Sequence, residues 1–166
     1  MMRRRGIAIA LVTMVAMAVP ARASAQKLIF LVRHAERADA GTTPQTDPPL
    51  SSTGQARAQK LAAMLADAGI TAIVTTEFVR TQQTAGPLAT KLRVTPETVP
   101  ANSPTGVVAT LKISHGNEIV LVVGHSDTLP AILKAYGRAD VAIADTEYDN
   151  LFIIVPATGT VSRLRY

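Results

Sequence analysis

Leu28-Ile29-Phe30-Leu31-Val32 is an unbroken apolar run that stops at Arg33-His34. A run this short, bounded by polar residues, reads as a strand buried on both faces, the kind found in parallel sheets covered by helices. Arg33 and His34 then stand at its carboxyl end, which is where open α/β sheets bind ligands. The pattern recurs far along the chain, where Ile119-Val120-Leu121-Val122-Val123 runs into Gly124-His125. The chain has three histidines, so finding two of them at two strand tips constrains fold and chemistry together.

Between and around these strands the pattern alternates. Ala35 to Pro49, rich in Thr, Pro, Asp and Gly, reads as a loop over the strand tips. Leu50-Ser51 opens a helix, with Ser51 or Ser52 as N-cap, Ala56, Leu61, Met64 and Leu65 as its apolar face, and Gly69 as its end. Ile70 to Thr75 is the next strand, and it leads through Thr76 and Glu77 into a helix over 78–92 whose first turns carry Arg80, Thr81 and Thr84. Val94 to Val99 is a weak strand interrupted by Pro96, and Pro104 starts a short helix through Val107, Val108 and Leu111. After Gly124-His125-Ser126-Asp127 comes a helix through Leu129, Ile132 and Leu133 to Gly137. Leu151 to Val155 and Val161 to Leu164 form a hairpin at a sheet edge. The expectation is a three-layer α/β/α domain whose mostly parallel sheet has an antiparallel edge. At 166 residues, one domain is expected.

The beginning of the chain reads differently. Arg3-Arg4-Arg5 precede an apolar run from Gly6 to Val19, then Pro20 and the small residues Ala23-Ser24-Ala25. This is the pattern of a secretory signal peptide over 1–25, with the domain over 26–166 and a periplasmic or secreted destination; an uncleaved anchor is the alternative. Four of the 17 Lys and Arg and none of the 12 Asp and Glu precede Gln26, which leaves 13 cations against 12 anions. The basic balance of the whole chain therefore gives no reason to expect nucleic acid as a partner, nor stable membrane association after cleavage. Cysteine is absent, which excludes thiol catalysis and cysteine metal ligation.

Three strand-to-helix junctions each deliver a cation or an imidazole: Arg33 and His34, then Arg80, then His125. If the strands are parallel in one sheet, these groups share one rim and form an anion pocket, with helix amino termini adding N–H donors. A guanidinium fork matches a phosphoryl group. One imidazole, kept neutral by its cationic neighbours, can attack phosphorus; the other can stay charged and donate to the transferring oxygens.

Leu31-Val32-Arg33-His34-Ala35-Glu36, Arg80-Thr81-Gln82-Gln83-Thr84-Ala85 and Val123-Gly124-His125-Ser126 resemble the histidine phosphatase superfamily, the phosphoglycerate mutase-like proteins. The resemblance includes Leu50-Ser51 with Gly54 and ends with Tyr148-Asp149-Asn150-Leu151-Phe152. It implies that His34 is the nucleophile that becomes phosphohistidine, that Arg33 and Arg80 clamp the phosphate, and that His125 is the second pocket histidine. No metal and no organic cofactor is implied. The chain departs from the pattern at the acid that protonates the leaving oxygen, since Ser126 rather than Asp follows His125. Asp127 and Glu36 are the candidate donors, with Glu77 also near the motifs and Glu97 the one Glu of the Pro-rich segment from Thr95 to Lys112, and Asp127 has a second reading as a helix-terminal acid. Arg37 and Ser126 are expected to contact substrate. Thr75 and Thr76 read as strand-end residues satisfying backbone groups, and His115 as a loop residue with no role. The short segments between motifs favour the small members without a cap.

The expected function is an exported phosphatase acting on phosphomonoesters or phosphorylated protein side chains through His34. The alternative is a non-catalytic phosphate or phosphoprotein binder that has lost its acid. A metal hydrolase built on His34, His125, Glu36 and Asp127 is opposed by Arg33 and Arg80, which would repel a divalent cation, and a mutase is a fourth reading.

Overall fold

The computed structural model describes residues 27–38 and 47–166. The expected leader and the middle of the loop after His34 lie outside the described residues. The elements are β1 (Leu28–Arg33), α1 (Ser52–Leu65), β2 (Ala72–Thr75), α2 (Val79–Leu92), β3 (Glu97–Thr98), α3 (Pro104–Ile113), β4 (Ile119–Gly124), α4 (Leu129–Ala135), β5 (Asn150–Val155) and β6 (Thr160–Arg165). They form one six-stranded sheet in the order β3-β2-β4-β1-β5-β6. β1, β2, β3 and β4 are mutually parallel, whereas β5 runs antiparallel to β1, and β6 to β5.

The apolar runs do not alternate because both faces of the central strands are covered. Ile29 and Leu31 of β1 and Val120 and Val122 of β4 pack with Val107, Leu111, Ile132 and Leu133 of α3 and α4. Phe30, Val32, Leu121 and Val123 pack on the other side with Leu61, Leu65, Ala85 and Leu88 of α1 and α2. The three layers are those expected. β6 lies at the open edge with Ser162, Arg163, Leu164 and Arg165 exposed, a charged border that discourages strand addition.

Local features set how the helices approach the strand tips. Ser51 caps α1, its Oγ accepting from the Gly54 N–H at 3.1 Å. Gly54 lies against the backbone where the chain leaves β1: a Cβ there would stand 2.1 Å from the Glu36 carbonyl oxygen. The buried face of α1 is Gly54, Ala58, Leu61, Ala62 and Leu65, so Ala56 and Met64 are not part of it; Met64 is 44% exposed. The stripe runs through small residues that allow close approach, a feature that counting large side chains overlooks. β3 shrinks to two residues, since Pro96 just before it cannot donate to a ladder. Among the described residues no helix is long and apolar enough to cross a membrane.

Candidate active site

β1, β2 and β4 end on the same rim, and this places the functional side chains. His34 follows β1 directly, its N–H donating to the Gly124 carbonyl of β4 at 2.9 Å. His125 follows β4, and Arg80 projects from the first turn of α2. The rings of His34 and His125 stand 5.3 Å apart, edge on. With Arg33, Arg37, Arg80, Ser126 and Asp127 they line a cavity of about 620 Å³.

Arg33 and Arg80 are each held from behind. Arg33 is 5% exposed, and its Nη1 donates to the carbonyls of Ala144, Asp145 and Glu147 at 3.1, 2.9 and 3.3 Å. Tyr148 lies under its guanidinium at 4.1 Å, and Phe78 under that of Arg80 at the same distance. Asp47 meets Arg80 Nη1 at 3.4 Å and accepts from the first N–H of α2. The Nε of both arginines is buried with no hydrogen-bond partner among the described residues. Both guanidinium groups belong to residues that line the cavity, where a guanidinium matches an oxyanion.

The histidines are fixed as well. His34 Nδ1 lies 2.8 Å from the Ala35 carbonyl, which can only accept, so Nδ1 carries the proton and Nε2 keeps its lone pair. The loop behind it is tied to α2 by Thr84, which accepts from the Ala35 N–H at 2.9 Å and donates to the Arg80 carbonyl at 2.7 Å. Burial, followed by the charges of His125, Arg33 and Arg80, outweighs the Ala35 carbonyl and pushes the His34 pKa down to about 3. Burial and then Arg80 push that of His125 down to about 4. The protein's own groups thus keep both imidazoles neutral. The expectation that the second can stay charged does not hold for the protein's own groups, because burial foremost, and then Arg80, disfavour its imidazolium.

The acids separate. Glu36 is not brought into the pocket: Arg57 of α1 grips its carboxylate at 2.6–2.9 Å. Burial alone would raise its pKa, but that guanidinium holds it below the ordinary carboxylate value. Such a group is a poor proton donor, and Glu36 is withdrawn from that role. Glu77 caps the Ala101 N–H at 2.8 Å, and Glu97 pairs with His115. His115 lies in the loop after α3, as expected, and there bridges Glu97 at 3.0 Å and Glu118 at 2.5 Å. Asp127 does line the cavity.

Sequence reasoning missed Asp145, Phe78 as a wall, and Tyr148 as a support. Asp145 lines the cavity, accepts from Ser126 Oγ at 3.1 Å and lies 3.7 Å from Arg33. It sits in a segment without periodicity, where only its spacing before Tyr148 could have drawn notice.

Residues 29–101 match the family model of the histidine phosphatase superfamily (branch 1), a range that holds Arg33, His34 and Arg80. Sequence comparison with curated proteins gives no match. Among solved structures, the chain is similar to an Agrobacterium tumefaciens protein assigned as the phosphohistidine phosphatase SixA, at 18% identity and a TM-score of 0.69, over 85% of this chain and 99% of that one. A protein histidine phosphatase SixA complexed with tungstate is similar at 18% identity and a TM-score of 0.61, over 82% and 94%. A mycobacterial glucosyl-3-phosphoglycerate phosphatase follows at 15% identity and a TM-score of 0.61, over 76% and 89%. At these identities the likeness is one of fold. The segment bearing the first two motifs thus matches the model of the histidine phosphatase superfamily, and the chain shares its fold with solved phosphatases.

Proposed function

We propose that this chain is an exported phosphatase that hydrolyses phosphomonoesters or phosphorylated protein side chains through a phosphohistidine at His34. The observation that carries the reading is a neutral His34 whose Nδ1 is spent on the Ala35 carbonyl, its ring 5.3 Å from that of His125, in a cavity that Arg33 and Arg80 also line. In the first step the phosphoryl oxygens lie against Arg33 and Arg80. The Nε2 lone pair of His34 forms the N–P bond as the O–P bond to the leaving group breaks. Asp127 gives its proton to the leaving oxygen. In the second step water attacks phosphorus and Asp127 takes back a proton. The N–P bond breaks with its electrons returning to Nε2, and inorganic phosphate leaves. Arg37 and Ser126 at the mouth are assigned to the body of the substrate. The solved structures named as phosphohistidine phosphatases give weight to a phosphorylated side chain as the group presented. No step calls for a metal or an organic cofactor.

The test is His34→Ala, which should abolish hydrolysis of an activated aryl phosphate and the trapping of labelled phosphate on the protein. Undiminished turnover would refute the assignment. The second reading, a phosphate binder, is favoured by the exposure of both carboxyls in the cavity, Asp127 and Asp145. Calorimetric binding of inorganic phosphate with no turnover would select it.

A further inference from the structure

The hydroxyls of Thr76 and Thr81 take no part in the clamp, yet they are buried beside it at 4% and 0% exposure. Thr76 Oγ1 lies 3.0 Å from His125 Nε2 and 3.0 Å from Thr81 Oγ1. Thr81 Oγ1 lies 2.8 Å from the Phe78 carbonyl and 3.1 Å from the Thr76 carbonyl, and it accepts from the Thr76 N–H at 3.2 Å. Carbonyls only accept, so they hold the single hydroxyl proton of Thr81, and its oxygen is left to receive. Thr76 is then the hydroxyl whose proton can turn either way, toward Thr81 or toward His125.

We propose that Thr76 is a positioning residue for His125: it anchors the ring through Nε2 and alternates between donor and acceptor, so that Nδ1 keeps its proton for the transferring phosphoryl group. The inference rests on the phosphatase reading of the same pocket. While His125 is neutral, Thr76 donates to Nε2 and the one imidazole proton resides on Nδ1. When a phosphoryl dianion draws a further solvent proton onto the ring, Nε2 becomes a donor; the Thr76 oxygen accepts from Nε2 and its hydroxyl proton turns to Thr81. Arg80, Arg33, Asp127, Glu77 and the His34 ring all act on the charge of His125. Among the described residues only Thr76 hydrogen-bonds its Nε2. A side chain without a hydroxyl would strand that nitrogen against a buried wall.

Thr76→Val, which keeps the shape, and Thr76→Ser, which keeps the hydroxyl, test this on an aryl phosphate. The valine variant should lose roughly ten- to hundredfold in kcat, the effect of unpairing one buried polar group. Its KM should stay within about threefold, because phosphate binding in the ground state is left to the arginines. The serine variant should recover most of the loss. A second readout needs no variant: in long-range proton–nitrogen spectra of the wild-type chain with inorganic phosphate bound, Nδ1 of His125 should be protonated. Wild-type turnover in the valine variant, or an unprotonated Nδ1 in the phosphate complex, would overturn the proposal. If the valine variant fails to fold by circular dichroism, the spectra decide alone. A wild-type chain that binds phosphate without turnover would instead defeat the phosphatase reading, and the spectra would still decide the placement of Thr76.

Discussion

Burying two neutral imidazoles side by side should leave a signature in the acid stability of the protein. Unfolded, a histidine titrates near 6.5; in the fold, His34 and His125 titrate at about 3 and about 4. Between those limits the unfolded chain binds protons that the folded chain refuses, so stability is whole above pH 6.5 and falls as the pH is lowered toward the folded values. A fully refused proton costs about 1.4 kcal/mol per pH unit and the unfolded imidazole is half protonated at pH 6.5, so going from pH 6.5 to 5 should remove about 1.6 kcal/mol per histidine and about 3 kcal/mol for the pair. His115 works the other way: Glu118 and Glu97 outweigh its burial and raise its pKa, so its contribution is present below pH 6.5 and is lost as the pH rises through the folded value. The assay is urea unfolding at a series of pH values for the wild-type chain and for His34→Asn/His125→Gln, a pair that keeps a donor toward Ala35 and a polar group toward Thr76. The double variant should show a much flatter slope between pH 6.5 and 5. Equal slopes, or nitrogen spectra in which both rings protonate near pH 6.5, would refute the account of the pocket.

Asp127→Asn should lower turnover of an alkyl phosphate by about a hundredfold, the usual scale of general acid catalysis, and affect an activated aryl ester much less. Asp145→Asn serves as the comparison, and a larger loss there would move the proton donor to Asp145. Gly54→Ala should destabilise the fold by about 1–3 kcal/mol in thermal melts, because the overpacking against the Glu36 carbonyl exceeds the helix propensity gained; an unchanged melting temperature would show that α1 can back away. On the export proposal the mature protein should begin at Gln26 on amino-terminal sequencing, and a mature chain retaining Arg3 to Arg5 would end that proposal.

The sheet was legible because its central strands announce themselves. Runs such as Ile119 to Val123 have one sensible fate, and each ends in the residue that matters. The convergence of Arg33, His34, Arg80 and His125 followed from parallel strands whose carboxyl ends share a rim. What escaped was set by tertiary contact. Glu36 lies two residues from His34 and reads as a pocket acid, yet Arg57 reaches across from α1 and takes it. Thr76 reads as a strand-end residue, and nothing local says that its hydroxyl meets an imidazole 49 positions later. The charge of His125 could not be read either, since it depends on how deeply the ring is buried. Asp145 and the carbonyls around Arg33 come from an aperiodic stretch whose path is fixed only once β5 has turned back along β1.

That stretch has a further consequence. Arg33 belongs to the parallel half of the sheet, but the backbone oxygens that aim it, at 144, 145 and 147, belong to the connection leading into the antiparallel half. A guanidinium gripped by main chain is sensitive to the length of that connection, and less so to its side chains other than Tyr148 and Asp145, which touch it. Point substitutions there can alter what the mouth of the cavity recognises while the anion seat stays in place, whereas a single inserted or deleted residue would swing the seat itself. In this architecture, selectivity and catalytic power answer to different kinds of genetic change.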